Sequence, residues 1–149
     1  MENYLFRGFN VNDKGSTTIY LDHQKFTGNW ITGYIVANNL QLDEAYMIST
    51  LDCIHPLDTD KFVPVVSNTI SMYTGWNDGR NTKLFSNDII RAMNTNGKPH
   101  PYYESFLIEW IDSIAGFRCK SLFNQNEVCS LSDLTHIQKM SNKFEQRGI

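Results

Sequence analysis

Apolar residues in this chain come in short runs, each cut off within a few positions by glycine, asparagine, aspartate or proline. Such spacing leaves little room for long helices and reads as mostly β. Residues 4–11 form a first candidate strand, stopped by Asn12-Asp13-Lys14-Gly15, and residues 30–36 form the next, bounded by Gly28-Asn29 and Asn38-Asn39. Residues 40–61 fit either period: Leu40, Leu42, Tyr46 and Ile48 alternate as in a strand, whereas Leu40, Met47 and Leu51 would share one helical face. Phe62-Val63-Pro64-Val65-Val66 is β-branched, and Pro64, which cannot donate to a ladder, predicts an edge position.

The second half is more regular. Residues 69–73 run extended into Thr74-Gly75, and Asn77-Asp78-Gly79-Arg80-Asn81 carries the Asp-Gly turn signal. Residues 89–93 read as a strand and residues 94–99 as a loop. Phe106, Ile108 and Trp110 alternate with Leu107, Glu109 and Ile111; Ala115-Gly116 then turns the chain into a hairpin whose return arm is residues 117–122. Trp110 and Phe117 are assigned to the core, and Trp76, beside a polar turn, to the surface. In the tail, Leu131, Leu134, Ile137, Met140 and Phe144 recur at helical spacing behind a Ser130–Asp133 capping box. The pattern favours a helix over at least residues 131–137, although a strand would also place Met140, Asn142 and Phe144 on one face.

Composition narrows the class. The 149 residues suffice for one sizeable core, and 41% hydrophobic with 13% aromatic content is globular. No window approaches the ~18 apolar residues of a membrane span, and the N-terminus lacks a signal-peptide pattern, so a cytoplasmic protein without a membrane partner is expected. A net charge of -3 argues against non-specific nucleic-acid binding. Cys53, Cys119 and Cys129 lack the spacing of a zinc site and read as reduced thiols.

Several blocks resemble the YopX family of small phage and prophage proteins. Thr69-Ile70-Ser71-Met72-Tyr73-Thr74-Gly75-Trp76, then Asp78, then Leu84-Phe85-Ser86-Asn87-Asp88-Ile89-Ile90 is similar to its T-V-x-Q-Y-T-G-L, D-x-N-G-K and I-Y-E-G-D-I-V series. Phe6-Arg7-Gly8-Phe9, Trp30-Ile31-Thr32-Gly33-Tyr34-Ile35, Ile108-Glu109-Trp110 with Gly116-Phe117, and the closing residues 137–145 follow in family order. Asn87 stands where the family has glycine, a substitution asparagine tolerates because it visits the left-handed region. Ser141 replaces a second glycine, and Lys139 and Lys143 replace apolar residues. The resemblance implies a small SH3-like barrel in residues 67–149, preceded by an N-terminal β segment, residues 1–66, packed against it; the apolar spacing of the tail adds one short C-terminal helix to that expectation. It brings no established activity.

The expected role is therefore a non-enzymatic protein-interaction module, its partner another protein or a second copy. Many short strands predict unpaired edges that pairing between copies would protect, chiefly before residue 67. A nucleic-acid-binding barrel is the first alternative, through Trp76, Arg80, Lys83 and Arg91, which combine an aromatic ring with cations on one stretch. A thiol-dependent hydrolase is the second, since Cys53-x-His55 would share one strand face. Asp58 and Asp60, His23, His100 and His136 read as solvated groups. No phosphate-binding, metalloprotease or nucleophile-elbow motif occurs, and no cofactor or metal is expected.

Overall fold

A computed structural model describes residues 5–39, 44–50, 61–97, 99–124 and 126–147. Among them are eleven strands and short 3-10 turns, and the chain divides into two compact units, Met1–Tyr73 and Thr74–Arg147. The mostly β expectation is met. Cys53, His55, Asp58 and Asp60 lie outside the described residues.

The first unit contains β1 (Phe6–Val11), β2 (Thr17–Leu21), β3 (Gln24–Asn39), β4 (Glu44–Ser49) and most of β5 (Phe62–Asn77). β1 pairs with β3, β3 with β4, β4 with β5, and β5 again with β1, so four antiparallel strands close a circuit. β2 forms a hairpin arm on β3. The hairpin turn is Asp22-His23, both with positive φ, the backbone of a type I′ turn. Residues 44–49 are thus extended, with Tyr46 and Ile48 on a strand, while Leu40, Leu42 and Leu51 of the segment 40–61 lie outside the described residues.

β3 can serve three neighbours because it changes partner at two glycines. Gly28 faces both Val11 and Thr17, and Gly33 faces both Phe6 and Ser49. A Cβ at Gly33 would lie 1.9 Å from the Ile48 carbonyl oxygen, and one at Gly28 equally close to that of Asn10. Only glycine permits either approach. Inside the circuit Ala45, Met47 and Val65 are buried, with Phe6, Ile31, Ile35 and Ile70 packed around them. Pro64 faces Tyr46 of β4, and the β1 pairing begins only at Val66, so its missing donor lies beyond the doubly paired part of β5.

The second unit holds the end of β5, β6 (Lys83–Phe85), β7 (Asp88–Asn94), β8 (Tyr103–Ile111), β9 (Gly116–Ser121), β10 (Val128–Cys129) and β11 (Leu134–Asn142). Its five-stranded antiparallel sheet has the order β10-β9-β8-β7-β11. Ile90, Ala92, Phe106, Ile108 and Cys119 project from one face and are covered by Leu84, Leu131 and Leu134. The expected hairpin of residues 104–123 is present, turning through Ala115 in the left-handed region.

Two expectations are corrected here. The tail is not helical: the Ser130–Asp133 capping box forms, but it holds only a 3-10 turn at Leu131–Asp133, and β11 follows. The box satisfies one turn and cannot propagate it, because pairing with β7 claims the backbone from Leu134 onward. The apolar spacing that mimicked a helix arises from Leu131 and Leu134 capping the core, while β11 takes a bulge at His136, φ 55°. Trp110 is not core either. It is 37% exposed, stacks edge-to-face on Phe117 at 5.1 Å, and donates its indole N–H to Asp112 Oδ1 at 2.6 Å. Phe117 is itself only partly buried, at the margin of the core. An indole near the end of a hairpin reaches an acceptor more readily than it fits under the sheet.

Candidate interaction face

The polar residues in the motif-bearing blocks hold the fold. In the first unit the Arg7 guanidinium lies 4.8 Å over the Trp30 ring, which packs edge-to-face on Phe9 at 5.0 Å. Two separate sequence blocks meet in that stack. Where the β1–β5 register shifts, the Phe9 amide donates to Thr69 Oγ1 at 3.0 Å, and that hydroxyl donates to the Val66 carbonyl.

The second unit repeats the device with carboxylates. Asp78 Oδ1 accepts the amides of Arg80 and Thr82, both at 2.9 Å, and Oδ2 accepts that of Lys139 at 3.0 Å. Gly79 N–H donates to the Ile137 carbonyl. These bonds lay the turn of residues 78–82 along the edge of β11 that β7 does not use. Burial pushes the Asp78 carboxyl upward, but the three amides and the Arg80 charge outweigh it and hold the group below its ordinary value. Asp88, fully buried, accepts the Phe85 amide at 2.8 Å and pairs with Lys139 Nζ at 3.6 Å. Lys139 is thus tolerated beside the core because a buried carboxylate needs it. Lys143 lies over the Phe144 ring. Asn87 has φ 70°, the left-handed conformation expected of it, and its amide donates to the Ile108 carbonyl.

A separate aromatic grouping lies around the start of β8. On β8 the burial alternates, so Glu104, Phe106 and Ile108 point inward, leaving Tyr103 and Ser105 outside. A cleft of about 490 Å³ is lined by Tyr102, Tyr103, Glu104, Ser105, Leu122 and Phe123. Phe123 is 87% exposed, the most exposed large hydrophobic side chain among the described residues. The Arg91 guanidinium stands 4.9 Å over the Tyr103 ring, and the His136 ring meets Tyr103 edge-on at 6.3 Å.

The four residues singled out from sequence fall on different elements of the second unit. Trp76, 44% exposed as expected of it, lines a slot of about 180 Å³ with Thr74, Phe117, Ser130, Leu131 and Ser132. Arg80 is exposed on the Asp78-held turn, and Lys83 opens β6 half-buried. Arg91 belongs with Tyr103. Trp76 and Arg91 therefore serve two distinct aromatic groupings. Sequence reasoning missed Tyr102, Tyr103 and Phe123. Their available signals were the Tyr-Tyr pair directly after Pro99 and Pro101, and a phenylalanine directly before Asn124-Gln125-Asn126.

Among the described residues no group of three or more histidine, cysteine or acidic side chains is placed to hold a metal ion, and no helix is long and apolar enough to cross a membrane. No family model and no curated protein matches the chain.

Proposed function

We propose that the protein is a non-enzymatic protein-interaction module of the phage type, and that its second unit is an SH3-like barrel presenting the Tyr102–Tyr103–Phe123 cleft to a protein partner. The strand order supports the barrel reading: four consecutive strands are followed by a 3-10 turn and a last strand returned beside the first. The five motif blocks, in family order, support the phage-type reading.

One observation carries the partner reading. Phe123 stands almost wholly in solvent beside two tyrosines, at a cleft with no polar task for it. A phenylalanine so placed is costly to solvate, and aromatic residues are enriched where protein surfaces meet. Docking by side chains is favoured over strand pairing, because the turn at Asp78 covers the outer edge of β11 and β10 is only two residues long. The nucleic-acid alternative draws on Arg91 above Tyr103, but this stack supplies one cation, and a salt slope of about 1 would follow from one phosphate contact.

A photo-crosslinking phenylalanine analogue at Phe123, followed by nuclease treatment, tests the reading in the protein's own cells. The expected product is a discrete protein adduct that disappears with Tyr102→Ser and Tyr103→Ser combined. An adduct that nuclease removes, or one unaffected by both substitutions, would overturn it.

A further inference from the structure

Cys119 and Cys129 face each other directly across the β9–β10 ladder, and both are free thiols. The Ser121 amide donates to the Glu127 carbonyl, so residues 121 and 127 form a hydrogen-bonded pair. Alternation along an antiparallel ladder makes 119 and 129 another, with Cα atoms about 5.5 Å apart. That separation lies inside the span a disulfide bridges without moving backbone, roughly 4.4–6.8 Å. We propose that this pair is a reversible redox site, oxidised to a cross-strand disulfide by thiol–disulfide exchange with a low-molecular-weight disulfide.

The two thiols are unequal in a way that orders the steps. Cys119 is buried beneath the sheet and Cys129 is half-exposed. The hydrogen bond Cys119 donates to Cys129 raises the Cys119 thiol, burial adding to the rise, and lowers that of Cys129 against desolvation and the charges of Asp133, Glu127 and Glu104. Cys129, the one of the two that solvent reaches, is the attacking thiol, and Cys119, buried beside it, is the resolving one. Its sulfur bonds to one sulfur of the small disulfide, whose S–S bond breaks, and the departing thiolate takes up a proton. Cys119 then gives up its proton and attacks the Cys129 sulfur, expelling the second small thiolate, which is protonated in turn. Two cysteine thiols lose two electrons and two protons; one small disulfide becomes two small thiols.

The product would staple the two-residue strand β10 to β9 and close the loop between them. No other thiol among the described residues is placed to compete, and Cys53 lies outside them.

The test incubates the full chain in glutathione buffers of graded oxidised-to-reduced ratio, quenches with an alkylating reagent, and maps the peptides after trypsin. Cleavage after Arg118, Lys120 and Lys139 should leave Cys119-Lys120 joined to the peptide of residues 121–139, about two mass units lighter than the sum of the two. The bridge should return to thiols as the ratio falls. In the reduced protein Cys129 should be alkylated on the order of tenfold faster than Cys119. With Cys119→Ser, Cys129 should stop at the mixed disulfide with glutathione. Alkylation of both cysteines at every ratio, a bridge to Cys53 instead, or an equal rate at the two thiols in the folded protein would overturn the proposal. The wild-type map stands even if Cys119→Ser fails to fold.

Discussion

The two units meet the same hazard, unpaired strand edges, by different means. In the first, β1, β3, β4 and β5 pair in a circuit, so each of the four has two ladder partners, taken in succession along β3 and β5. The cost falls on β3, which must change partner at Gly28 and Gly33. In the second, the sheet ends at β10 and β11, and a carboxylate stands in for the missing neighbour: Asp78 takes the Lys139 amide that a further strand would have taken. The difference teaches where polar residues become indispensable. A closed ladder needs close backbone approach, whereas an open one needs buried acceptors at its edge.

The largest expected effect treats both regions alike. Phe9 and Phe106 are fully buried, one in each unit, and either Phe→Ala change should cost about 3–5 kcal/mol by chemical denaturation. Trp110→Ala, despite the larger ring, should cost only about 1–2 kcal/mol, because the side chain is already partly in solvent and its main losses are the Phe117 stack and the Asp112 hydrogen bond. A Trp110 cost equal to that of Phe106 would place the indole in the core after all.

The next change bears on the second region alone. Asp78→Ala leaves three amide N–H donors without their acceptor at once and should cost about 2–4 kcal/mol near pH 7. The folded carboxyl titrates below its unfolded value of 3.8, so its contribution is complete above that value and fades as pH falls through the lower, folded value. The gap between wild type and Asp78→Ala should therefore be flat above about pH 5 and narrow toward pH 3. A gap that widens in acid would mean that the carboxylate is not the stabilising form.

The smallest effect concerns a turn. Asn87 already holds φ 70°, so Asn87→Gly should change stability by less than about 0.5 kcal/mol in either direction. A loss above about 1 kcal/mol would contradict a position governed by its left-handed backbone alone.

Much of this architecture was legible in the residues. Alternation along Phe106, Ile108 and Trp110 located the β8–β9 hairpin, and the glycine that the resemblance implies at position 87 pointed to the left-handed turn Asn87 makes. Pro64 marked the singly paired stretch of β5. What escaped did so for physical reasons. Leu131 and Leu134 carry the same spacing whether they face a helix's neighbour or cap a sheet, and only the β7 partner, some forty positions earlier in sequence, decides between them. The circuit of the first unit depends on β5 returning to β1 across about sixty residues, which no local period reveals. The exposed aromatic cleft was hidden because Tyr102, Tyr103 and Phe123 lie beside strands whose apolar residues read as core. Trp76 showed itself only through its polar neighbours.

Asp78 stands in for the missing neighbour of β11. Native-state hydrogen exchange at the Lys139 amide tests that directly, since this N–H points away from β7 and would exchange quickly on an unguarded edge. The structure predicts protection comparable with the β7 amides at neutral pH, and on the order of hundredfold faster exchange in Asp78→Ala. Rapid exchange at Lys139 in the wild-type protein, with β7 amides still protected, would contradict it.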